Sequence, residues 1–151
     1  MNKLKVKLLE NDSIIPTQAH KGDLYDVYAV EDKEITETPS LVSTGIALGI
    51  PEGYNVKLYN RSSNPLKNGL VLSNGIGIID THYIGTLGCI FHCVPHIDKA
   101  TGNIVKTHTI HKGDKIAQIE LCKLEDFAID VVNTLADTDR GEGGFGSTDK
   151  K

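Results

Sequence analysis

Hydrophobic residues recur in this chain mostly with a period of two, in short runs broken by Gly, Pro and Asn, and that rhythm belongs to β-strands. From Met1 to Glu10, Lys3, Lys5 and Lys7 alternate with Leu4, Val6 and Leu8, which predicts a half-buried strand. Extended structure resumes from Gly22 to Ala29, after a loop opened by Ile15-Pro16 and before the acidic turn at Glu31 to Glu34. Leu41 to Ile50 alternates weakly and stops at Pro51-Glu52-Gly53, a turn signature; Tyr54, Val56 and Leu58 then alternate with Asn55 and Lys57 up to Tyr59. Pro65 marks one short helix, with the serines before it as cap residues. In Asn74 to Gly85, three glycines punctuate Ile76, Ile78 and Ile79, and this predicts a hairpin whose backbone lies open to close approach by a ligand. Further strands are predicted at Leu87 to Val94, Ile104 to Ile110, Lys115 to Leu121 and Ala128 to Val132.

Composition narrows the class. With 151 residues and 39% hydrophobic content, the chain builds one core. A net charge of −4 provides no basic stripe to displace counterions from a duplex, so a nonspecific nucleic-acid binder is disfavoured. No segment is apolar for long enough to span a bilayer, and the alternating start lacks the apolar run of a signal peptide. Three cysteines, Cys89, Cys93 and Cys122, without a secretion signal imply reduced thiols in the cytoplasm. Residues 1–136 read as the domain and 137–151 as a mobile, Gly-rich arm.

Candidate chemistry sits at a few points. Asp80 is the isolated carboxylate of the Asn74 to Gly85 stretch, whose main-chain groups suit the hydrogen-bonding edge of a flat molecule such as a nucleobase. Asp26, among apolar and aromatic neighbours, needs a partner. Arg61-Ser62-Ser63 joins a guanidinium to two hydroxyls, a phosphate cradle as well as a cap. Gln118 is polar between apolar neighbours. In the tail, Phe145 suits a base, and Arg140, Ser147 and Thr148 suit a phosphate. Cys93 and His96 with His108 and His111 superficially suit zinc, but residues three apart on a strand point to opposite faces, so strand histidines are the preferred reading.

Five stretches, in order, resemble the motifs of the homotrimeric dUTPases: Tyr25-Asp26-Val27-Tyr28-Ala29, Arg61-Ser62-Ser63, Asn74 through Gly85, Gly113 through Gln118, and Arg140 through Thr148. The third and fifth are the specific ones. The resemblance implies an all-β, jelly-roll-like barrel, a homotrimer with active sites shared between subunits, and a flexible C-terminal arm. It implies hydrolysis of dUTP at the α-phosphate to dUMP and pyrophosphate, limiting uracil in DNA and supplying dUMP for thymidylate synthesis. Asp80 orients and deprotonates the attacking water in this reading. Asn74, Gly77, Ile78 and Ile79 read uracil, and Tyr83 leaves no room for a 2′-hydroxyl. Arg61, Ser62, Ser63 and Gln118 hold phosphates, Arg140 the γ end, and Phe145, Gly146, Ser147 and Thr148 close over the ligand. The implied cofactor is Mg²⁺ on the triphosphate, touched by Asp26 through water.

The chain departs from the family pattern at Asp23-Leu24, where Ala-Gly is usual, and at Ser63, where Gly is more frequent. Its Cys89 to His111 region is longer than in typical members. A dCTP deaminase of the same superfamily is the rival enzyme, but Gly85 to Phe91 contains no acidic residue to work on the base. The other rival is a regulatory protein that docks a partner through the long hairpin.

Overall fold

The computed structural model describes residues 3–144; Phe145, Gly146, Ser147 and Thr148 lie outside them. Twelve short strands and one helical segment follow in order: β1 (Lys5–Leu8), β2 (Tyr25–Tyr28), β3 (Lys33–Ile35), β4 (Ser40–Gly49), β5 (Tyr54–Asn60), α1 (Ser63–Asn68), β6 (Leu70–Leu72), β7 (Gly77–Ile79), β8 (Thr86–Cys93), β9 (His96–Ile97), β10 (Ile104–Val105), β11 (His108–Ile110) and β12 (Lys115–Lys123). Two antiparallel four-stranded sheets, ordered β1-β4-β8-β6 and β2-β12-β5-β7, carry the alternation read from the sequence. Two small ladders, β3 with β11 and β9 with β10, complete the all-β fold. Between the sheets lies the core: Val42, Ile46, Leu87 and Phe91 from the first, Val27, Val56, Leu58 and Ile119 from the second. This is the jelly-roll solution, in which each sheet buries one face against the other. Among the described residues no helix is long and apolar enough to cross a membrane.

Four expectations are corrected. The Asn74 to Gly85 stretch is not a hairpin closed on itself: β6 and β7 belong to different sheets, and residues 73–76 carry the chain across the gap. The predicted strand Ile104 to Ile110 breaks at Lys106-Thr107, because β10 pairs β9 while β11 pairs β3. Ala128 to Val132 forms no strand; Ile129 is 84% and Val131 90% exposed, since none of the described residues covers them. The first strand is exposed along its whole length and not half-buried.

Candidate active site

The chain places most of the expected ligand-facing residues in two separate half-sites. Among the described residues β7 is an edge strand, bonded to β5 alone, so the groups along its far side have no strand neighbour there. Where the chain runs from β6 through β7 to β8, a cavity of about 260 Å³ opens. Asn74, Gly77, Ile78, Ile79, Asp80 and Tyr83 all line it. Two turns fix Asp80 against Tyr83. The Tyr83 amide donates to the Asp80 carbonyl at 3.0 Å, and the Tyr83 hydroxyl reaches forward to the Thr86 carbonyl, also at 3.0 Å. Next to Asp80, the Thr81 hydroxyl donates to the Tyr54 carbonyl at 2.6 Å and ties the turn to β5. At the other end, the Ser73 amide donates to the Ile90 carbonyl and its hydroxyl pairs with His92 Nδ1 at 2.9 Å, which sets the direction in which Asn74 leaves β6.

Leu41 and Ile90, directly opposed on β4 and β8, also line this cavity, and sequence reading missed them. They lie in the other sheet, far from the motif in the chain. The available signal is that both are partly exposed apolar residues on the outward face of their strands.

The second half-site centres on Asp26, which is 5% exposed. Lys115 Nζ stands 2.8 Å from one carboxylate oxygen, and Arg61 Nε stands 3.4 Å from the other, which also accepts from Gln118 Nε2 at 3.1 Å. Arg61 Nη1 donates to the Lys115 carbonyl at 3.0 Å, so the two cations are held in register. The hydrogen bond and charge of Asp26 raise the pKa of Lys115, which keeps it cationic. Lys115 was not among the expected site residues, because a lysine at a strand start looks like ordinary surface.

Asp26 thus has a structural role within the chain. Its carboxylate is almost fully buried and meets three donors, so it anchors the cationic cluster. Among the described residues no three His, Cys, Asp or Glu side chains come together to hold a metal ion. Cys93 is buried, with its thiol against the Asn68 carbonyl, while His111 is exposed beyond β11. Ser62 is corrected in role. It occupies the N-cap of α1 in helical conformation and makes no side-chain cap bond, so its hydroxyl is not spent on the helix. What positions α1 is Asn64, buried beneath it. Its Nδ2 donates to Asn60 Oδ1 at 2.8 Å and to the Ile116 carbonyl at 2.9 Å.

The two half-sites do not meet within one chain. Val56 and Leu58 of β5 face the core, whereas Gln118 sits opposite Tyr59 on the other face of the same sheet. Ile79 pairs with Val56 and Asp80 follows it, while Arg61 lies five residues beyond Val56 in the opposite direction. At ~3.4 Å per strand residue that puts the two on the order of 20 Å apart. Arg140 joins neither half: its guanidinium donates to the Gly143 carbonyl at 2.9 Å inside an exposed turn.

Residues 11–149 match the dUTPase family model. A deoxyuridine 5'-triphosphate nucleotidohydrolase of Clostridium tetani is 37% identical, with 97% of each chain covered, and one of Clostridioides difficile is 37% identical over 98% and 99% of the two chains. Among solved structures, the dUTPase of Staphylococcus bacteriophage 80alpha with dUPNHPP superposes with a TM-score of 0.81 at 30% identity, covering 97% of this chain and 98% of that one. A dUTPase variant from phage phi11 of S. aureus, in a structure concerned with coordination of a structural Mg(II) ion, gives a TM-score of 0.74 at 28% identity over 88% and 98%. An edge-strand cavity beside one carboxylate, a separate cationic cluster and these matches along nearly the whole length agree: the chain belongs to the dUTPase family.

Proposed function

We propose that this protein hydrolyses dUTP at the α-phosphate, releasing dUMP and pyrophosphate. The observation that carries the reading is the placement of Asp80 beside Tyr83 in a cavity whose wall is an edge strand. Uracil enters that cavity and pairs with main-chain groups at Gly77, Ile78 and Ile79 and with Asn74. A site that meets the base with buried polar partners rejects cytosine by roughly 10⁴–10⁵, because the wrong edge leaves those partners unpaired. Tyr83 packs against the deoxyribose, and the Asp80 carboxylate takes a proton from the water it aims at phosphorus. Among the described residues Asp80, assigned to the water, is the one acid lining the cavity, and deamination of dCTP is not favoured.

Arg61, Ser62, Ser63 and Gln118, joined by Lys115, bind the phosphate chain, and their fixed positive charge meets the charge that develops on the leaving pyrophosphate. The Asp26 anchor holds Arg61 and Lys115 in place before substrate arrives, so little reorganisation is needed. Arg140 takes the γ end, and Phe145, Gly146, Ser147 and Thr148 close over base and phosphates. With no cage of protein ligands among the described residues, the arrangement suits a Mg²⁺ that arrives on the triphosphate, where it neutralises oxygen charge.

Because Asp80 and Arg61 stand on the order of 20 Å apart along β5, one chain's base cavity needs another chain's phosphate cluster. A homotrimer with shared sites satisfies this, and the exposed Phe127, Ile129, Val131 and Leu135 supply an apolar stretch for a neighbour to cover. Such an enzyme serves in the cytoplasm, where it keeps uracil out of DNA and provides dUMP for thymidylate. The test is pyrophosphate release from dUTP with Mg²⁺. Asp80→Asn lowers kcat by about 10²–10⁴ if the carboxylate is the base; turnover at the wild-type rate would sink the proposal.

A further inference from the structure

The glycines around the base cavity are there for different reasons. Gly75 has φ 71°, a left-handed turn conformation, and a Cβ there would meet nothing within 4 Å. Gly85 is the reverse case. It is not among the positive-φ glycines, so its backbone suits any L-residue, yet a Cβ there would lie 2.6 Å from the Tyr83 hydroxyl oxygen and 2.7 Å from Cζ. Both distances are below any real carbon contact. The hydroxyl end of the Tyr83 ring thus lies against Gly85, and its hydroxyl donates to the Thr86 carbonyl.

We infer that Gly85 is a positioning residue for sugar selection: the bare glycine is the seat that lets the Tyr83 ring fold down beside Asp80. Gly85 does not itself line the cavity and touches the ligand only through Tyr83. A methyl group at 85 evicts the ring, because the phenol is the movable end of the clash and the backbone is not. The ring then leaves the position it holds relative to Asp80, the space for a 2′-hydroxyl opens, and ribonucleotides enter. This inference rests on the reading of Tyr83 as the sugar gate.

The experiment is a double-mutant cycle on the ratio of kcat/KM for dUTP to that for UTP, measured for wild type, Gly85→Ala, Tyr83→Ala and the double variant. Gly85→Ala lowers the ratio by roughly 10–100-fold, the scale on which a snug site discriminates one added hydroxyl. In the Tyr83→Ala background the same substitution changes it less than twofold, since the ring it acts through is gone. If Tyr83→Ala leaves the ratio unchanged, the gate reading fails and the inference fails with it. If Tyr83→Ala lowers the ratio and Gly85→Ala does not, or Gly85→Ala lowers it equally with the ring absent, the seat alone is refuted. Should Gly85→Ala not fold, the double variant recovers folding, because the obstructing ring has been removed; failure of both to fold overturns the inference.

Discussion

Asn64 offers a perturbation whose sign follows from hydrogen-bond direction. Its Nδ2 faces two acceptors, Asn60 Oδ1 at 2.8 Å and the Ile116 carbonyl at 2.9 Å. The Ile116 main-chain oxygen cannot donate, and Asn60 spends its own Nδ2 on the Leu70 carbonyl at 3.0 Å, so the orientation of both amides is fixed. Asn64→Ala removes two neutral hydrogen bonds and leaves a buried carbonyl unpaired, a loss of about 2–4 kcal/mol, which for a chain of this size lowers Tm by about 5–15 °C. Asn64→Asp is worse at neutral pH, because a carboxylate 5% exposed now confronts two acceptors. Burial and these acceptors raise its folded-state pKa above the unfolded value of ~3.9. A group raised in this way contributes its stability below the unfolded pKa and loses it as pH climbs through the folded pKa. The penalty of Asn64→Asp over Asn64→Ala therefore grows by up to ~1.4 kcal/mol per pH unit in that window and then levels off. Urea melts followed by circular dichroism between pH 4.5 and 8 measure it. A difference that is flat with pH, or that shrinks as pH rises, would refute the assigned geometry. Because α1 carries Ser63 and follows Arg61, both variants also raise KM for dUTP.

Ile129→Lys with Val131→Lys places two charges in the apolar stretch and shifts the sedimentation coefficient toward that of a single chain; an unchanged assembly would show that this stretch is not a contact. Removing residues 137–151 abolishes turnover while shifting the melting temperature by less than about 3 °C, since the arm adds little to the core; full activity in the shortened protein would overturn the role given to it. The Cys89 thiol, pushed up to about 12 by burial, resists iodoacetamide at pH 8 until urea unfolds the chain, whereas half-exposed Cys122 is the first to react. Mass spectrometry of the labelled peptides finds the reverse order only if the core is packed differently.

The fold was legible because alternation of apolar and polar residues is a local property, and Tyr54 to Tyr59 or Leu87 to Val94 fall within a residue or two of β5 and β8. Pairing was not. That β6 and β7 part into different sheets depends on partners 19 to 23 residues away, on β8 and β5, and no local pattern encodes it. Ala128 to Val132 has the composition of a strand but lacks a surface in its own chain to lie on. The motif residues of the base cavity came from resemblance, and the structure brings all six together. Leu41, Ile90, Lys115 and Asn64 escaped because each acts through a tertiary neighbour. The anchoring role of Asp26 escaped for the same reason: its sequence surroundings reveal that it needs a counter-charge and cannot say that Lys115 and Arg61 supply it.

The separation of the two half-sites along β5 also bears on how defects combine. A chain disabled at Asp80 keeps an intact cationic cluster, and a chain disabled at Arg61 keeps an intact base cavity. In the proposed trimer with shared sites, the two damaged forms co-assembled would rebuild some whole sites and concentrate both lesions in others, so a blend of inactive proteins would regain a fraction of turnover. Heredity at this locus would then follow the arithmetic of mixing and not the fate of either copy alone.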